Sequence, residues 1–264
     1  MAHSIKIILA VTAIATASPA LAQPKVFGEA GLSFTHTDLG DAGDLDARTI
    51  HASGAFVSAA GLGIQIGGSY LDLGIGDGAD LETFTGDLHI YGDFGTSKVG
   101  AFASVSNLDE IEIDGFGALD LDTKISTYGL EGQSRIGATT LSAYAGIGEI
   151  EDVSDVDTVI YGLGASYDLT SNVALAARYD VLDSSVDGFD DADTRFAALS
   201  LGIDYYVDLP NAPLRLSTSV AHAQIEDGDF DEGDVRFGIN IAVLFGGDTS
   251  TRRERLFDTL IGAF

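Results

Sequence analysis

The chain has 264 residues, 41 of them acidic and 13 basic, for a formal net charge of −28. Such a chain lacks the basic face that nucleic acid requires, and without cysteine it forms no disulfide, no thiolate metal site and no lipid-modified N-terminal Cys. Yet 45% of it is hydrophobic, which excludes a disordered acidic polymer and means that acid and apolar residues are segregated along the sequence.

Residues 1–22 read as an export signal. Lys6 gives a positive start, Ile7 to Ala17 is apolar apart from Thr12 and Thr16, Ser18-Pro19 breaks the run, and Ala20-Leu21-Ala22 offers a small-x-small cleavage site. The run is too short to span a bilayer as a helix. Removing it leaves 12 basic against 41 acidic residues in a mature chain beginning near Gln23.

Residues 23–245 then repeat one unit: strand, tight turn, strand, acidic loop. Twelve apolar-alternating runs fall at Val26–Thr37, Thr49–Ser58, Leu62–Leu71, Phe84–Phe94, Lys98–Ser106, Ile125–Ile136, Thr139–Gly148, Thr158–Leu169, Asn172–Leu182, Thr194–Val207, Leu214–Ile225 and Val235–Phe245. Most have the reach of a tilted membrane strand. The connections at Ala59-Ala60-Gly61, Gly95-Thr96-Ser97, Gly137-Ala138, Thr170-Ser171 and Asp208–Ala212 are short and carry hairpin-turn residues. The other six, Asp38–Ala47, Asp72–Thr83, Asn107–Thr123, Glu149–Asp157, Asp183–Asp193 and Glu226–Asp234, are longer and hold 30 of the 41 acidic residues. Short turns at one end and long loops at the other predict an all-β fold, a transmembrane antiparallel up-and-down barrel of about twelve strands in a bacterial outer membrane.

The alternation assigns faces. In the last run Val235, Phe237, Ile239, Ile241, Val243 and Phe245 share one side, and Arg236, Gly238, Asn240 and Ala242 the other. In the eighth, Val159, Tyr161, Leu163, Ala165, Tyr167 and Leu169 oppose Gly162, Gly164, Ser166 and Asp168. A soluble sandwich also alternates, but its solvent face would carry Lys, Glu and Thr rather than Gly and Ser. Twelve strands enclose a narrow polar lumen, wider than the filled interior of eight and narrower than a sixteen-stranded channel. The candidate pore-lining residues are Glu29, Asp87, His89, Lys98, Glu131, Arg135, Arg178, Asp180, Arg215 and Arg236. They form either a transverse field that filters solutes or salt bridges that plug the barrel.

Asn107–Thr123 is the longest connection. Folded inward, it would set an acidic constriction at Asp114, Asp120 and Asp122; folded outward, it is a solvated loop. Asp227-Gly228-Asp229-Phe230-Asp231 resembles the first half of a calcium loop, but Glu232 stands where Gly is needed and Gly238 where the bidentate Glu belongs. No cofactor is expected beyond loosely bound divalent cations bridging to lipopolysaccharide. His51 and Ser53 share a strand face, as a Ser–His nucleophile requires, and His51-Ala52-Ser53-Gly54 faintly resembles the His-x-Ser-Asn-Gly motif of outer-membrane phospholipase A. The Asn is missing and both side chains point inward, so no catalytic residue is assigned. Finally, residues 246–264 form an amphipathic tail: Thr249-Ser250-Thr251 can cap a helix, and Leu256, Phe257, Leu260, Ile261 and Phe264 fall at helical spacing.

The run Tyr161–Leu169 followed by Ala177-Arg178-Tyr179-Asp180, the opening Phe27–Gly31 and the terminal Phe264 resemble the Gram-negative porins, particularly the alphaproteobacterial branch. The resemblance implies passive diffusion of ions and small hydrophilic molecules, an inward third loop and a homotrimer. The chain departs from the family in having twelve strands rather than sixteen, Asp114-Gly115-Phe116-Gly117 rather than Pro-Glu-Phe-Gly-Gly, and a tail after Phe245. The expected function is a cation-preferring porin. The alternatives are a sealed structural or adhesin-like barrel acting through its acidic loops, and an outer-membrane lipid hydrolase.

Overall fold

The computed structural model describes residues 24–38, 44–75, 79–113, 117–151, 156–186, 194–209, 213–227, 230–246 and Phe257. The expected signal, Asp114 and nearly all of the tail with its expected helix lie outside them. Twelve strands run in chain order: β1 (Lys25–Asp38), β2 (Asp44–Val57), β3 (Leu62–Ile75), β4 (Ala79–Asp93), β5 (Ser97–Ile113), β6 (Gly117–Ile136), β7 (Thr139–Ile150), β8 (Val156–Asp168), β9 (Val173–Val186), β10 (Thr194–Val207), β11 (Leu214–Asp227) and β12 (Phe230–Gly246). Each pairs antiparallel with its chain neighbours, and β1 pairs with β12 from Phe27↔Gly246 to Asp38↔Val235, closing the barrel. Closure leaves no strand edge facing lipid, where unpaired backbone groups are costly.

The faces are inverted relative to a water-soluble protein. Ile66, Leu130 and Leu163 are each 63% exposed on the outside, whereas Asp87, His89 and Glu131 are 7% exposed or less on the inside. The same inversion holds along β12, where Phe237, Ile239 and Ile241 are all more than half exposed and Ala242 is buried. Apolar surface outward and carboxylates inward is stable only where the outer solvent is hydrocarbon.

Tight turns join the strands at one end. Gly61, Gly95 and Gly137 take positive φ there. Gly61 is doubly constrained, because a Cβ would also lie 2.6 Å from the carbonyl oxygen of Asp93. At the other end the strands run further than apolar alternation predicts. The segment 107–123, expected as a loop, is mostly ladder: Glu110 pairs with Asp120 and Ile113 with Gly117. Its candidate Asp120 and Asp122 therefore sit on β6, and only residues 114–116 lie between the two strands. The register shifts between Leu108 and Glu110 and between Glu82 and Thr83, bulges that sharpen the local twist. The ladder continues because backbone hydrogen bonds do not need a membrane, whereas the apolar alternation does.

Inside the barrel, large side chains lie over glycines on neighbouring strands. One ladder row runs Val57, Gly63, Tyr91, Gly100, Glu131, Tyr144, Gly162, Asp180 through successive register partners. A Cβ at Gly63 would collide with the Tyr91 ring, and one at Gly162 with the Tyr144 ring. The adjacent row sets Phe102 against Gly129 and Gly146, where a Cβ would lie 2.8 Å and 3.0 Å from its ring.

Candidate functional site

The lumen is the candidate site, since the strands aim the polar faces of all twelve runs into it. Among the described residues, lumen side chains line cavities of about 200 and 420 Å³. Asp87, His89, Glu131 and Arg178 line the smaller; Glu29, Asp87, Arg178, Asp180, Arg215 and Arg236 line the larger.

Those side chains are gathered into ion-paired groups. His89 Nε2 lies 2.9 Å from Asp87 Oδ1, and His89 Nδ1 lies 2.9 Å from Glu131 Oε1. With both carboxylates ionised, the imidazole donates through each nitrogen and carries the positive charge of the group. Arg178 Nε lies 2.7 Å from Asp180 Oδ2, and Tyr144 donates its hydroxyl to Asp180 Oδ1 at 2.6 Å. The Arg178 guanidinium also lies 5.7 Å from the Tyr144 ring centre. Arg215 donates to Glu29 Oε1 at 2.8 Å, and His51 Nε2 lies 3.7 Å from the same oxygen. Arg236 lies 5.1 Å over the Phe196 ring.

Two candidates sit differently. Lys98 is buried against rings, its Nζ 5.4 Å from the centre of Phe27 and 5.6 Å from that of Tyr91, and it lines neither cavity. Arg135 stands at the short-turn rim, half-exposed, donating to Asp168 at 2.7 Å and to the Gly137 carbonyl at 3.3 Å. The β6–β7 turn, rather than the open lumen, claims it. His51 and Ser53 line the larger cavity, so a lipid ester in the surrounding bilayer does not meet them. Among the described residues no group of three or more His, Asp or Glu is arranged to hold a metal ion.

Among the site residues that sequence reasoning missed are Phe257 and Gln65. Phe257, from the tail, lies inside the barrel and is 9% exposed. Its N–H donates to Gln65 Oε1 at 3.0 Å, and its carbonyl accepts from Gln65 Nε2 at 2.7 Å. Its ring stacks on His89 at 5.8 Å between centres and meets Tyr91 edge-on at 5.3 Å. With Phe27, Ala55, Val57 and Tyr91 it forms an apolar cluster. Gln65 left a signal in the sequence, a lone carboxamide between Ile64 and Ile66 on an otherwise glycine-rich inner face. Phe257 left none beyond its place in the tail's apolar stripe.

With this geometry in hand, a family model described as Gram-negative porin matches residues 51–187. No curated protein matches the chain. Among solved structures, an outer-membrane channel from Pseudomonas putida F1 is similar at TM-score 0.54 and 14% identity, covering 86% of this chain and 97% of its own. The KdgM porin is similar at TM-score 0.51 and 9% identity, covering 82% of this chain and 99% of its own. The CymD monoaromatic hydrocarbon channel is similar at TM-score 0.51 and 12% identity, covering 85% and 89% respectively. At such identities the likeness is one of fold.

Proposed function

This chain belongs to the Gram-negative porin family, and from that premise we propose that it carries ions and small hydrophilic solutes passively across the outer membrane, with a preference for cations. The observation that carries the reading is the inverted barrel, apolar outside and charged inside, around cavities lined by ionised groups. The preference follows from where charge is left over. Arg178 and Arg215 in the lumen are matched locally by Asp180 and Glu29, and Arg135 at the rim by Asp168, while Arg236 lies over the Phe196 ring. Carboxylates at the long-connection ends of the strands, such as Asp44, Asp80, Glu82 and Asp183, are exposed. Negative charge there concentrates cations over about 10 Å at 0.1 M salt, a distance comparable to the mouth. The same carboxylates suit loosely held divalent cations bridging to lipopolysaccharide phosphates. Residues 1–22 serve as the cleaved export signal, and assembly into homotrimers fits the family.

The test is the reversal potential of the refolded protein in a planar bilayer under a salt gradient. A cation preference that weakens when Asp114, Asp120 and Asp122 become Asn places the acidic hairpin on the conduction path. A wild-type anion preference refutes the reading and assigns control to the lumen arginines. A second reading, a sealed barrel acting through its loops, draws support from Phe257 inside the lumen. Absence of any conductance would favour it.

A further inference from the structure

Phe257 is bound as a ligand is bound. The carboxamide of Gln65 satisfies both its backbone N–H and its backbone carbonyl, at 3.0 and 2.7 Å, as a neighbouring strand would. Gln65 is 1% exposed, so this carboxamide is committed to the contact rather than to bulk water. The ring is held on two sides, flat on the His89 imidazole and against the edge of Tyr91. An aromatic face on a cationic imidazole gains electrostatic as well as dispersion attraction.

The wall is built for this occupant. Ala55, Gln65 and His89 are successive register partners on β2, β3 and β4, so one ladder row supplies an alanine for space, the carboxamide and the stacking platform. Tyr91 follows His89 on the same inward face of β4. At the short-turn end, Gly246 closes β12 with φ of 72°, where a Cβ would collide with the Val26 carbonyl. Gly246 is the last paired residue of β12, opposite Phe27. Phe257, like Asp87 and Arg178, borders both lumen cavities.

We propose that Gln65, His89 and Tyr91 form a binding seat for the chain's own C-terminal segment, and that Phe257 held there, rather than an inward third loop, sets the narrow cross-section of the pore. The pore half of this statement rests on the channel reading above; the seat does not. The seat recognises one backbone N–H, one backbone carbonyl and one aromatic ring.

The experiment uses the mature full-length chain. It has no native cysteine, so an Ala55→Cys, Asp258→Cys pair reports proximity while leaving Gln65, His89, Tyr91 and Phe257 in place. A short bis-methanethiosulfonate reagent, which forms a disulfide with each thiol and releases sulfinate, applied to the barrel folded in lipid vesicles should crosslink the pair intramolecularly, as it should the control pair Ser142→Cys, Gly164→Cys on adjacent strands. Separately, Phe257→Ala and Gln65→Leu should each raise single-channel conductance at least twofold, with heat-modifiable gel mobility verifying that the variants fold. A crosslinked control with no Ala55–Asp258 crosslink overturns the seat. A crosslink with unchanged conductance overturns Phe257 as the narrowing element. A crosslink with no conductance in wild type or variants upholds the seat and overturns the channel reading instead.

Discussion

Replacing His89 by Leu withdraws the cation that stands between Asp87 and Glu131. In the native barrel each ring nitrogen bonds one carboxylate at 2.9 Å, with the three side chains only 3–5% exposed. Without the imidazole, two carboxylates share a buried site with nothing between them. Removing one partner of a buried ion pair costs about 3–5 kcal/mol, because the remaining charge is left uncompensated. Loss of the stacked Phe257 ring adds about 0.5–1.5 kcal/mol. The variant should therefore be destabilised by about 4 kcal/mol or more. Removing the anions as well, in His89→Leu, Asp87→Asn, Glu131→Gln, should recover most of this, since a buried ion cluster replaced as a whole is often nearly neutral. Equilibrium urea unfolding of the barrel in lipid vesicles gives the values. Far-ultraviolet circular dichroism and tyrosine fluorescence serve as probes, because the chain has nine Tyr and no Trp. A loss below about 1 kcal/mol for the single variant, or a triple variant no more stable than the single, would refute the argument that paired charge holds this part of the lumen together.

The same unfolding assay checks two further expectations. Leu163→Arg places a charge on the outer face, where Leu163 is 63% exposed, and should cost about 2–4 kcal/mol if the residue lies near the bilayer midplane. Ser142→Arg on the neighbouring strand points into the lumen and should cost little; equal losses would refute the face assignment. Gly162→Val drives carbon into the space of the Tyr144 ring and the Asp180 carboxylate, for an expected loss of about 1–3 kcal/mol. Tyr144→Ala in the same chain should return part of that loss.

The barrel was legible because its signal is local. Period-two alternation in β10 marks Thr194–Val207 to the residue, and Gly61, Gly95 and Gly137 mark turns that only positive φ satisfies. The far ends of the strands were not legible, because pairs such as Glu226↔Asp231 continue the ladder with residues typical of loops. Inside the lumen, Arg178 and Asp180 stand two apart on one strand, so their pairing could be read from spacing. Arg215 with Glu29 could not, since it needs the closure register that brings β11, β12 and β1 together. Glu131 faces the His89 imidazole, a choice made by the β4–β5–β6 register. The helical spacing of the tail's apolar residues predicts an amphipathic segment, which lies outside the described residues except for Phe257, and nothing in that spacing says that this ring lies beside Gln65.

Because β1 closes against β12, the strand made first must wait for the strand made last. Phe27 cannot find Gly246 until the whole chain has been delivered, so sealing is a late event with a large loop to close. Until then two strands carry rows of unpaired N–H and C=O groups, and the lipid-facing apolar side chains stand in water. Such an intermediate is prone to pair with another copy of itself. A formal charge of −28 is a safeguard in that interval, since like-charged unfinished chains repel before their open edges meet. The acidity of the chain thus guards it before the barrel is sealed.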